Sequence, residues 1–128
     1  MKRIQQKRTK GWKAPPNSAS CTRGLGRKYG NPFPAGRVVP WNLELRDRVA
    51  DWCDRNDWRC LDHFNYFVLR DPVPNAQEAV RLFERYVLPL WIEDGRLEAL
   101  RDKDYLMCFC KEGKPCHVDS IIRYLTTP

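Results

Sequence analysis

Cys108, Cys110, Cys116 and His117 fall within ten consecutive positions near the end of the chain, and Asp119 follows two residues later. Thiolates are nucleophiles and soft metal ligands, and an imidazole exchanges protons near neutral pH or binds a metal. If the protein is an enzyme, Cys116 or His117 would act as nucleophile or general acid/base, with Asp119 orienting the imidazole. So dense a set marks a site more clearly than it names a reaction.

The spacing dictates how these side chains can be held. Residues 105–110 read as a strand, whose alternation puts Leu106, Cys108 and Cys110 on one face. Residues 111–114 turn around Gly113, and Pro115 suits the first turn of a helix carrying Val118, Ile121, Ile122 and Leu125. Strand, tight turn and helix would set Cys116 and His117 at a helix N-terminus. Unpaired N–H groups and the positive end of the helix dipole favour an anion or a thiolate there, with Lys111 and Lys114 close by. Zinc is the competing chemistry, with Cys108, Cys110, Cys116 and His117 as nominal ligands. Two features weigh against it: CxC on an extended strand converges poorly, and adjacent helical side chains such as Cys116 and His117 diverge. The preferred reading therefore assigns no metal. Buried thiols acting as small hydrophobes are the plain structural alternative.

Positive charge is concentrated elsewhere. Residues 1–37 hold ten Lys and Arg and no Asp or Glu, whereas the remainder holds 13 basic and 16 acidic residues, within a net charge of +7. In MKRIQQKRTKGWK the basic residues interleave with Ile4 and Trp12, which suits either an arm on a polyanion or an edge strand anchored to the core. APPNSAS follows as a Pro- and Ser-rich connector, and residues 21–36 are rich in glycine. Gly24, Gly26 and Gly30 would let backbone N–H groups approach an anion, with Arg23, Arg27 and Lys28 supplying charge. A phosphate-bearing ligand fits, although neither GK[ST] nor GxGxxG occurs, and a plain surface turn fits as well.

Helices and strands are expected between these poles. Asn42 caps a helix with Leu45, Val49, Trp52 and Cys53 on its apolar face, and the β-favouring string WRCLDHFNYFVL at 58–69 reads as a strand with His63 half-buried. Asn75 with Glu78 forms a capping box ahead of a stripe of Ala79, Phe83, Val87 and Leu90. Pro89 should end or bend that helix with Trp91 packed nearby, and a short helical piece follows at 96–100.

With 128 residues and 42% hydrophobic content, the chain can build one core of its own. No apolar run is long enough to span a membrane, and the basic start leads into Gly, Pro and Ser rather than a signal peptide. The expected setting is cytoplasmic, with the six cysteines reduced or metal-bound rather than paired. The expected fold is α/β: a small single-domain sheet flanked by helices, of which a Rossmann-like three-layer arrangement is one form. Residues 1–20 would be the basic arm or edge strand with its connector, and residues 21–128 the α/β domain.

Three stretches carry a further likeness: RIQQKRTKGWKAPPN at 3–17, RKYGNPF at 27–33 and LRDKDYLMCFCKEGKPCHVDSII at 100–122. Together they resemble the phage and bacterial family catalogued as domain of unknown function 4326, whose members look like KRTKGWxxPxN, then WGNPF, then LRGKxLxCWCxxxxPCHxDxL. Here Tyr29 stands for the Trp before GNPF, Asp102 for the Gly of LRGK and Phe109 for the Trp of CWC. The resemblance brings no settled activity or cofactor. It implies that Arg23, Asn31 and the GNPF turn converge with Cys108, Cys110, Cys116, His117 and Asp119.

The leading expectation is a phage-encoded protein binding a nucleotide or nucleic acid through Arg23, Lys28, Asn31 and the cysteine-rich segment, its enzymatic status open. The alternatives are a zinc-stabilised interaction module, or a ligand-free protein that grips a host protein through Trp12, Trp41 or Trp91.

Overall fold

The computed structural model describes residues 1–22, 28–37, 48, 51, 55 and 71–127. Outside them lie the helix expected after Asn42, apart from Arg48, Asp51 and Arg55, and all of the strand expected at 58–69 with His63. Arg23, Gly24, Gly26, Arg27 and Trp41 lie outside them too.

Among the described residues, three short strands form a parallel sheet: β1 (Lys2–Gln5), β2 (Ser18–Ser20) and β3 (Tyr105–Cys108), in the order β1-β3-β2. The first strand therefore meets the last across nearly the whole chain, with Ile4 beside Met107 and Gln5 beside Cys108. Of the two expectations for the N-terminus, residues 2–5 take the edge strand. The connector also contributes more than a link, because its last three residues are β2. Asn17 adopts a left-handed conformation (φ 55°), which its short polar side chain tolerates. Its carbonyl accepts from Asp104 N at 3.0 Å and its Nδ2 donates to Asp102 O at 2.8 Å, tying the start of β2 to the start of β3.

Asn75 caps the central helical run as expected, its side chain accepting from the backbone N–H of Glu78 at 2.9 Å. The run comprises α1 (Ala76–Leu82), a π-helical turn (Phe83–Val87) and α2 (Leu88–Glu93). Ala79, Leu82, Phe83, Tyr86, Val87, Leu90 and Trp91 are all buried, an apolar stripe recurring every three or four residues. Pro89 does not end the helix. The turn before it is widened, with Leu88 N–H reaching Phe83 O, so the chain passes the residue that lacks an N–H and continues to Glu93. Each fully buried Leu or Phe of the stripe contributes about 1.5–3 kcal/mol.

A 3₁₀ turn (Arg96–Leu100) leads into β3, and α3 (His117–Thr126) closes the fold. α3 packs on β1 and β3 and against α1, with Val118, Ile121 and Leu125 in the core. The described residues thus form a mixed α/β unit, and none of their helices is long and apolar enough to cross a membrane.

Candidate metal and ligand site

Because the strands are parallel, their carboxyl ends share one edge of the sheet, where ligands of open α/β sheets bind. Arg8 lies just past β1, Cys21 and Thr22 just past β2, and Cys108 to Cys110 at the end of β3. The N-terminus of α3 faces the same edge.

The strand expected over 105–110 stops at Cys108, which frees Cys110 to turn toward its neighbours. The helix also begins later than expected. Cys116 is its extended N-cap (φ −150°, ψ 140°), so Pro115 precedes the cap and His117 opens the helix. Both objections to a shared metal site drew on regular geometry that these residues do not adopt. The sulfurs of Cys108, Cys110 and Cys116 all lie within 4.8 Å of one another. Cys108 and Cys116 share a hydrogen bond at 3.2 Å, and none of the cysteines among the described residues is in a disulfide.

Crowded thiols cannot all ionise without a cation. The hydrogen bond shared with Cys108 holds the Cys116 thiol below its ordinary value, with His117 helping and Cys110 and burial opposing. Cys108 is pushed up by its hydrogen bonds with Cys110 and Cys116 and by burial. A divalent cation is what would let all three deprotonate together. Cys21, fully buried beside them, is pushed up to about 12 by burial and by the charge at Cys116.

His117 is buried, its ring edge-on to Phe83 at 5.2 Å. Nε2 lies 2.7 Å from the carbonyl oxygen of Tyr29, and Nδ1 faces Cys116 Sγ at 3.9 Å. Asp119, expected to orient this imidazole, turns instead to Arg3, with Oδ1 3.3 Å from Nε. Arg3 also donates to Lys114 O at 3.1 Å. Burial works against the Arg3 cation, but Cys116 and Asp119 together raise its pKa.

The RKYGNPF stretch reaches the site through its backbone. The Tyr29 hydroxyl donates to Arg96 O at 3.0 Å, and its ring packs edge-on against Trp91. Asn31 is buried with both ends of its amide engaged: Nδ2 donates to Ala79 O at 3.1 Å, and Oδ1 accepts from Phe33 N at 2.9 Å. That amide holds the turn together. Lys28 is exposed, and its carbonyl accepts from Arg96. Of the sequence-derived residues, Cys108, Cys110, Cys116 and His117 come together, Asp119 and Asn31 serve as neighbours and supports, Lys28 lies on the surface, and Arg23 is not among the described residues. Trp91 is 5% exposed and offers no outer surface, while Trp12 is half-buried.

A pocket of about 270 Å³ opens beside the thiols, lined by Arg8, Cys21, Thr22, Cys108, Phe109, Cys110 and His117. The Arg8 guanidinium sits 4.2 Å above the ring of Phe109, which is 37% exposed. Arg3, Arg8, Cys21 and Phe109 were not singled out from the sequence as site residues, because only the strand register brings residues 3–22 beside 108–110. Comparison with curated proteins and with solved structures finds no match. The model of the family described as Domain of unknown function (DUF4326) matches residues 4–127, and the chain belongs to that family.

Proposed function

We propose that this protein is a zinc-stabilised α/β binding module in which Cys108, Cys110 and Cys116 hold the metal at the carboxyl edge of the sheet. The mutual approach of three sulfurs to within 4.8 Å carries this reading. Zinc bound by thiolates at about 2.3 Å sets neighbouring sulfurs about 3.8 Å apart, a spacing that small rotations of these side chains reach. A reducing, cytoplasmic setting keeps such thiols available. Elemental analysis of protein purified reduced and without chelator tests the proposal. Stoichiometric zinc whose removal lowers the melting temperature supports it; metal far below stoichiometry, with melting unchanged by chelator, rejects it.

A second reading concerns what the module binds, and Arg8 stacked on Phe109 favours it. An open cleft of about 470 Å³ runs along Gln5, Gln6, Lys7, Arg8, Thr9 and Phe109. Cations that neutralise phosphates beside a ring that stacks on a base suit a nucleotide or nucleic acid. The same edge is where a Rossmann-like fold would take such a ligand. Titration with nucleotides and short single-stranded DNA at two salt concentrations decides the matter: salt-sensitive binding supports the reading, and its absence removes it.

A further inference from the structure

Resting on the three-thiolate reading, we infer that His117 is the fourth zinc ligand, through Nδ1, so that the site is a closed tetrahedral CysCysCysHis centre and its metal is structural. The Tyr29 carbonyl can only accept, so Nε2 at 2.7 Å carries the ring proton. In the neutral imidazole that leaves the lone pair on Nδ1, the atom facing Cys116 Sγ at 3.9 Å. Metal-bound histidines typically donate their second N–H to a carbonyl or carboxylate, which sets both tautomer and ring orientation. Here the orienting acceptor is already in place, and Phe83 holds the ring edge-on.

The two distances at Cys116 lie near those around one small ion. Sulfur and nitrogen sharing a tetrahedral zinc lie about 3.6 Å apart. The 3.9 Å gap from Nδ1 to Cys116 Sγ exceeds that slightly, and the 3.2 Å between Cys108 and Cys116 falls short of the thiolate spacing. Zinc would spread the sulfurs and draw the ring inward. The extended N-cap makes joint ligation by neighbouring residues feasible, because Cys116 lacks the helical geometry that would point its side chain away from that of His117. Two competitors for the fourth position are Cys21, which is buried nearby and, like His117, lies outside the three-sulfur group, and a water or anion entering from the pocket. The preset tautomer favours His117 over both.

The tie also has a consequence for folding. Tyr29 belongs to the turn that Asn31 locks onto Ala79, so metal at Cys116 and His117 would stabilise the packing of residues 29–33 on α1.

X-ray absorption on the zinc-loaded full chain is the direct test, expected to show three sulfurs and one imidazole nitrogen. Long-range ¹⁵N NMR should place the remaining ring proton of His117 on Nε2. His117→Ala should replace the nitrogen with a light oxygen donor and weaken zinc binding at least as much as the roughly 10- to 100-fold typical of lost supporting contacts. Cys21→Ser should leave the three sulfurs and the nitrogen around the metal unchanged. Three sulfurs with a water, or four sulfurs, in the wild-type protein would overturn the inference while leaving the three-thiolate reading standing. Protein that binds no zinc would remove both. The wild-type spectrum decides even if the His117 variant fails to fold.

Discussion

His117 Nε2 and the carbonyl oxygen of Tyr29 meet at 2.7 Å across 88 positions of sequence. This hydrogen bond joins the glycine-containing turn of the first third to the cysteine-rich close of the chain. It also makes the imidazole a fixed part of the fold, with one nitrogen committed to the backbone and the other turned to a thiol.

The turn that presents the Tyr29 carbonyl depends on Asn31. Asn31→Ala removes a buried donor and acceptor together, and with them the bonds to Ala79 O, which the Phe83 N–H also reaches, and from Phe33 N. The expected cost is about 1–3 kcal/mol, read as a lower urea midpoint with an unchanged slope. Weaker zinc retention in the same variant would show that the turn supports the metal end. A midpoint equal to wild type would refute the role given to Asn31.

Arg3 and Asp119 form an unequal pair, with the side chains 12% and 47% exposed. Asp119→Asn should cost less than about 1 kcal/mol, as for other half-exposed ion pairs. Arg3→Ala should cost more, because it also removes the bond to Lys114 O and the side-chain packing between β1 and α3. Equal costs in urea titrations would show that the ion pair, rather than the burial of Arg3, dominates.

Acid should weaken a second cluster away from the thiols. Burial raises the Asp94 carboxyl, but hydrogen bonds from the Arg96 side chain and backbone and from Arg48 outweigh it and hold the pKa at about 2, below the ordinary 3.8. A depressed folded-state pKa stabilises the protein above the unfolded value and is lost as pH falls through the folded one. Thermal melts should therefore lose stability between about pH 4 and pH 2, and Asp94→Asn should flatten that stretch. The effect will be small, since Asp94 is more than a quarter exposed. An identical acid limb in the variant would rule out this origin.

At the outer cleft, Phe109→Ala should cost less stability than loss of a core phenylalanine such as Phe83, because Phe109 is 37% exposed. If single-stranded nucleic acid binds there, the substitution should weaken binding by about 1–3 kcal/mol per stacked base. Arg8→Ala should lower the salt dependence by about one phosphate contact. Fluorescence anisotropy on both variants separates the stacking and charge contributions. Binding indifferent to both places the ligand elsewhere.

Much of the fold was legible along the chain. The capping pair Asn75 and Glu78, the apolar stripe on α1, the 3₁₀ turn and the strand-turn-helix at the end all depend on neighbours a few positions apart, which local chemistry dictates. So did the choice of Cys108, Cys110, Cys116 and His117, since their density is itself a local signal. Pro89 exceeded what local rules foresee, because a π-helical turn absorbed it under the demand of an apolar stripe that had to stay buried. Cys116 and Cys110 likewise left regular geometry, and that departure let three sulfurs converge. The register of β1 and β2 on β3 was not readable, since pairing across a hundred residues is selected by the whole core rather than by any short segment. Residue types and spacing by themselves determined that thiols and an imidazole crowd one short segment of the chain. Tertiary structure decided that Asp119 faces Arg3, that His117 faces the Tyr29 carbonyl and that Arg8 and Phe109 border the pocket, because a parallel sheet gathers at one edge the carboxyl ends of strands far apart in sequence.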